Sequence, residues 1–131
     1  MARHITFEYQ RFDFAANPQL FFIPGDHGGL VREAFLIHYR NLIDFLYQKK
    51  KWPTDAVAID YIADWAPKRP SWLSDERERC HKLLAHLTYE RVTYEEHDAL
   101  SWDLDEKVSQ LRAVWNGFLS ALPDASRPWF S

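Results

Sequence analysis

The sequence predicts an all-α fold, a small helical bundle of three long helices plus one shorter helix, preceded by an extended apolar N-terminal arm. Three separate stretches carry apolar residues at three- and four-residue spacing, the pattern of amphipathic helices. Prolines and short polar runs separate those stretches. The chain has 131 residues, 47% hydrophobic and 27% charged, which suits one globular domain with a solvated surface. The expected organisation is an arm over residues 1–29 and a bundle over residues 30–131, a single domain overall.

The arm reads differently from the rest. Ile5, Phe7 and Tyr9 alternate with Thr6, Glu8 and Gln10, a period of two that suits a short strand. Phe12, Phe14, Leu20, Phe21, Phe22 and Ile23 follow, interrupted by Pro18 and Pro24. The run Gly25-Asp26-His27-Gly28-Gly29 reads as a turn. A lone strand cannot satisfy its own backbone, so the segment is expected to lie over the domain or over a partner.

Residues 30 to about 50 form the clearest helix, with Val31, Ala34, Phe35, His38, Leu42, Phe45 and Leu46 on one stripe. Arg40 and Asp44 are positioned to pair at i,i+4. Lys49, Lys50 and Lys51 suit a helix C-terminus, and Pro53 ends the pattern. A shorter helix is expected over residues 54 to about 63. A third helix should start near Ser71 or Ser74, with Asp75 and Glu76 in its first turn, and run to about Arg91. Its stripe is Leu73, Cys80, Leu83, Leu84 and Leu87. Thr93-Tyr94-Glu95-Glu96 has the capping-box pattern. Ser101 is the expected cap of a last helix over residues 102 to about 122, with Leu104, Val108, Leu111, Trp115, Phe118, Leu119 and Leu122 inward. Pro123 stops it, and the remaining tail reads as a loop.

Composition narrows function. The net charge of −3 gives no global attraction to nucleic acid or anionic lipid. The lone Cys80 fits a reducing compartment. No segment approaches a membrane span, and the first eight residues hold no apolar run of the secretory type, so a cytoplasmic location is expected. Aromatic residues make up 16% of the chain, more rings than one small core readily hides, which points to some at a self-association surface or around a pocket.

Glycine-rich phosphate loops, Cys-x-x-Cys and His-Glu-x-x-His are absent from the sequence. Cys80 lies on an apolar stripe and reads as a small buried hydrophobe. His38, within the stripe of the first long helix, reads as a hydrogen-bonded structural residue. No metal ligand and no cofactor is assigned. Asn41, beside the same stripe, is placed to meet the His86 flank across the bundle.

Arg79 and His86 are the candidate catalytic residues. They stand seven positions apart on one expected helix, and seven steps of about 100° return a side chain almost to its starting direction. An Arg beside a His suits RNA cleavage, because His can transfer a proton at a ribose hydroxyl and Arg can stabilise phosphorane charge. A compact helical domain with this Arg-x6-His on a late helix resembles the HEPN superfamily, over about residues 30–122. The chain departs from the family pattern in placing Cys80 directly after the Arg. The resemblance implies a ribonuclease or an RNA-binding module that works as a homodimer, with Arg79 and His86 in the catalytic roles and Glu78 or His81 as neighbours. Such an enzyme also needs basic residues such as Arg77, Lys82 and Arg112 around the site.

The alternative is a non-catalytic helical self-assembly or protein-interaction module, in which Arg79 and His86 are flank residues tied to Glu76, Glu90 or a neighbouring helix. A third reading is a metal- or small-ligand-binding bundle built on His38, His81 or His86, and His97. The partners expected across these readings are a second copy of the chain, RNA, or a protein held through an aromatic patch.

Overall fold

A computed structural model of the chain describes residues 1–21, 26–85 and 104–131. Among the described residues the fold is all-helical and contains no strand. The elements are α1 (Ala2–Ala15), a single turn α2 (Pro18–Phe21), α3 (Asp26–Tyr47), a 3-10 turn at Ala58–Asp60, α4 (Leu73–Ala85), α5 (Asp105–Ala121) and a 3-10 turn at Arg127–Phe130.

The N-terminal segment is helical where a strand was expected. Ile5, Phe7 and Tyr9 do alternate, but Ile5, Tyr9, Phe12 and Ala16 also recur at i, i+4, i+7 and i+11. A helix satisfies its own backbone groups, whereas an isolated strand leaves them unpaired. Helix α1 therefore buries Ala2, Ile5, Phe12 and Ala15. It packs on α3 in the antiparallel sense, since Glu8 bonds His38 and Asn41 while Phe12 meets Phe35 and Tyr39.

Helix α3 is the central element, contacted by α1, α2, α4, α5 and the first 3-10 turn. It starts earlier than the periodicity predicts: Asp26 to Gly29 belong to it, not to a turn. It also ends earlier, at Tyr47, so the lysine run lies outside the helix. Its last carbonyls are satisfied by other residues. The Trp65 indole donates to the Leu46 carbonyl at 2.8 Å, and the Arg69 guanidinium donates to the Tyr47 carbonyl at 2.6 Å. The Arg40–Asp44 pair forms at 3.8 Å.

The expected helix over residues 54–63 is reduced to the turn at Ala58–Asp60. The Asp55 carboxylate accepts the backbone N–H groups of Lys51 and Trp52, a local bond that competes with helix formation. Helix α4 begins at Leu73, with Asp75 and Glu76 in its first turn as expected. Its expected continuation beyond Ala85, the Thr93–Glu96 turn and the Ser101 cap all lie outside the described residues. The tail expected as a loop forms the turn at Arg127–Phe130, which buries Phe130.

The core is rich in rings. Phe12, Phe35 and Tyr39 pack between α1 and α3, with Phe35 and Tyr39 stacked at 4.9 Å. Tyr9 stacks on Trp115 at 4.6 Å. Phe118 meets Phe45, Tyr61, Trp65 and Phe130 at T-shaped angles. Offset and edge geometries of this kind add about 0.5–1.5 kcal/mol per pair beyond the area buried. Phe12 is fully enclosed. Phe12→Ala should therefore destabilise the fold by about 3–5 kcal/mol in urea unfolding; a loss under about 1 kcal/mol would mean that α1 is not part of the core.

Candidate functional site

Among the described residues, a group of charged side chains lies where α3, α4 and α5 meet. Its centre is Glu76, 1% exposed. Burying a carboxylate costs several kcal/mol unless partners replace its water. Glu76 has three. Arg79 donates to Oε1 at 3.0 Å and Lys107 donates to the same oxygen at 2.8 Å. The Tyr39 hydroxyl donates to Oε2 at 3.1 Å. Burial is the first cause that pushes the Tyr39 phenol above its ordinary value, and the Glu76 charge adds to it. Tyr39 thus remains a neutral donor.

The local sequence explains the placement. Leu73, Glu76 and Cys80 stand at i, i+3 and i+7, so Glu76 occupies a position on the inward stripe of α4. Lys107 neighbours Val108 and Leu111 on α5 and Leu104 just before it, all three buried. Cys80 is fully buried, as its stripe position predicts. Burial pushes its thiol up to about 12, the Glu76 charge adds to this, and Arg40 and Arg79 oppose it. A reactive thiolate needs the reverse setting.

Arg79, a predicted catalytic residue, is one arm of this clamp. His86, its intended partner, lies outside the described residues, as do His97 and Glu90. Glu78 and His81 are exposed on α4. The basic residues expected to line an RNA cleft are otherwise engaged in two cases: Arg77 bonds Asp44 at 2.7 Å and Arg112 bonds Asp13 at 2.7 Å. Among the described residues, no group of three His, Cys, Asp or Glu is placed to hold a metal ion. Sequence reasoning placed Glu76 in a helix first turn and passed over Tyr39 and Lys107. The usable signal was a carboxylate inside an apolar stripe.

A second polar junction joins α1 to α3. Glu8 Oε2 lies 2.7 Å from His38 Nδ1 and accepts from Asn41 Nδ2 at 3.0 Å. Phe7 sets its ring against the His38 ring in a T-shape. His38 is thus a hydrogen-bonded helix-pairing residue, and Asn41 is bonded to Glu8. An open groove of about 600 Å³ lies beside Leu119, Ser120, Arg127 and Phe130. Its one cation, Arg127, is held by Asp124 and by the Leu122 carbonyl.

No protein-family model matches this chain, and no curated protein and no solved structure matches it. No helix among the described residues is long and apolar enough to cross a membrane.

Chemically, the Glu76 group is a clamp. Both carboxylate oxygens accept protein donors, and the side chain is closed to solvent, so it has no oxygen to offer a substrate as a base. The thiol beside it gives a pH prediction. The unfolded thiol ionises near 9 and the folded one near 12, so its contribution to stability is full below pH 9 and is lost as pH rises from 9 to 12. Stability measured by urea unfolding should fall over that window and fall less steeply in Cys80→Ala; identical slopes would show that the thiol is not buried beside the carboxylate.

Proposed function

We propose that this chain is a non-catalytic helical interaction module. The observation that carries this reading is a set of large apolar side chains left outside the core on neighbouring helices. Phe7 and Phe14 lie on the outer face of α1, and Leu30 and Ile37 lie on the outer face of α3. Phe14 is 71% exposed and Leu30 is 61% exposed. Scattered exposed apolar residues are ordinary, but neighbouring ones on a helix pair mark a contact surface. The engagement of Arg79 with Glu76 supports the same reading, because the guanidinium already has a structural task.

A second reading keeps the RNA-directed, HEPN-like activity expected from Arg79 and His86. Its support is that Arg79 stands on α4, where the motif requires a helix, with its side chain 21% exposed.

One comparison separates the two. Phe14→Ser should leave stability within about 0.5 kcal/mol of the parent chain, since the ring is largely exposed. A labelled single-stranded RNA incubated with the parent chain, Arg79→Ala or His86→Ala should be cut by none of them. RNA cleavage by the parent chain that both substitutions abolish would overturn the module reading and establish the nuclease.

A further inference from the structure

We infer that the outer face of α1 and α3 is a docking site for an acidic amphipathic helix of a partner protein. The inference rests on the interaction-module reading and names the chemistry of its partner.

The apolar residues set the shape of the face. Phe7 and Phe14 are seven apart on α1, and Leu30 and Ile37 are seven apart on α3. All four are exposed. Seven residues return a helical side chain to nearly the same direction, so each helix presents a straight two-residue stripe. The Phe7 ring meets the His38 ring, and His38 follows Ile37 in sequence, so the stripes border the seam between the two helices. Seven residues rise about 10 Å, which is two helical turns. An antiparallel pair with heptad-spaced apolar residues on both members offers a third helix a seam to lie in, and apolar residues at the a and d positions of that helix fill it.

Charge fixes the sign of the third helix. Arg3, Phe7, Arg11 and Phe14 stand at i, i+4, i+8 and i+11 and are all exposed, so the outer stripe of α1 alternates cation and ring. The Arg11 guanidinium lies 4.8 Å from the centre of the Phe7 ring. Among the described residues, neither Arg3 nor Arg11 has a carboxylate partner. The two acids of α1 lie on its flanks and are engaged there, Glu8 with His38 and Asn41 toward α3 and Asp13 with Arg112 toward α5. On α3 the exposed Arg32 and Glu33 are adjacent and cancel. Arg40 and Arg77 share Asp44 on the side toward α4. Arg3 and Arg11 are thus the uncompensated charges of the face, and a helix that suits it presents carboxylates to them. Such pairing contributes selectivity and association rate more than raw affinity.

An apolar face with a basic rim also suits an anionic bilayer. Two arginines attract one weakly, because lipid-binding segments carry larger basic clusters, and Glu33, between Leu30 and Ile37, is driven against the lipid charge. A helix can set carboxylates opposite Arg3 and Arg11 and a cation opposite Glu33, which a uniform surface cannot. Four apolar side chains over two turns make a small contact, so the affinity is on the order of 100 μM, at the transient end of specific interfaces.

The test is fluorescence anisotropy of a labelled peptide titrated with the full chain. The probe is an amphipathic helix about four turns long, with Leu at its a and d positions and Glu at e and g. A second probe carries Lys in place of each Glu. The chain should bind the Glu probe about tenfold or more tighter than the Lys probe, and the difference should shrink as salt is raised. Arg3→Glu together with Arg11→Glu should reverse the preference. Phe14→Ser should weaken both probes alike, by about tenfold. Equal binding of the two probes, a preference for Lys, or no binding of either at about several hundred micromolar chain overturns the inference. So does tighter binding to vesicles of phosphatidylcholine and phosphatidylserine than to the Glu probe, or self-association of the chain that Phe14→Ser abolishes. The module reading fails on a different result, the cleavage of RNA described above.

Discussion

One buried negative charge constrains most of this fold. A carboxylate taken out of water must be compensated nearly in full, and Glu76 is compensated by side chains from three different helices. Tyr39 comes from α3, Arg79 from α4 itself and Lys107 from α5. Loss of either charged donor, Arg79 or Lys107, leaves the buried Glu76 less compensated, an imbalance of about 3–5 kcal/mol for a buried ion pair broken at one partner. The exposed pairs, such as Arg112 with Asp13, link α1 to α5 but each contributes about 0–1 kcal/mol. The arrangement of α3, α4 and α5 is therefore set by the interior charge, and the surface pairs follow it.

Helix α1 is held by a different force. Helix α1 meets α3 through rings and through the Glu8 junction, and meets α5 through the stacked pair Tyr9 and Trp115. The last turn, Arg127–Phe130, closes the other end of the aromatic core by inserting Phe130 beside Tyr61 and Phe118. Apolar burial of this kind is non-directional and tolerant of detail. Glu76 supplies the directional part, since hydrogen bonds to a carboxylate accept a narrow range of distance and angle. Against this rigid interior, the outer faces of α1 and α3 keep large apolar residues that the core does not use.

The central helix was legible in the sequence because its apolar stripe is long and continuous, and α5 was legible for the same reason. Helix α1 was not, because a short stretch satisfied both a period of two and a period near 3.6. The deciding fact, that no second strand among the described residues is available to pair with it, belongs to the tertiary structure. The residues 54–63 misled in another way: their apolar spacing is helical, but Asp55 turns back on Lys51 and Trp52, and the chain loops to bring Trp65 and Arg69 to the end of α3. At the site, Arg79 was found through its spacing to His86. Its tie to Glu76, three residues earlier, was legible as the alternative to catalysis and is formed; the burial of that Glu was not, because a first-turn Glu is so commonly a solvated residue that complements the helix dipole. Cys80 and His38 were read correctly because each follows from position on a stripe alone.

The most direct test of the account is a double-mutant cycle between Glu76 and Lys107, using Glu76→Gln, Lys107→Met and the combination, with stability read from urea unfolding. A structural clamp predicts a coupling of about 2 kcal/mol between the two side chains, with the double variant more stable than the sum of the single losses implies. A coupling below about 0.5 kcal/mol would contradict it, and would mean that Glu76 is not the charge around which α3, α4 and α5 are arranged.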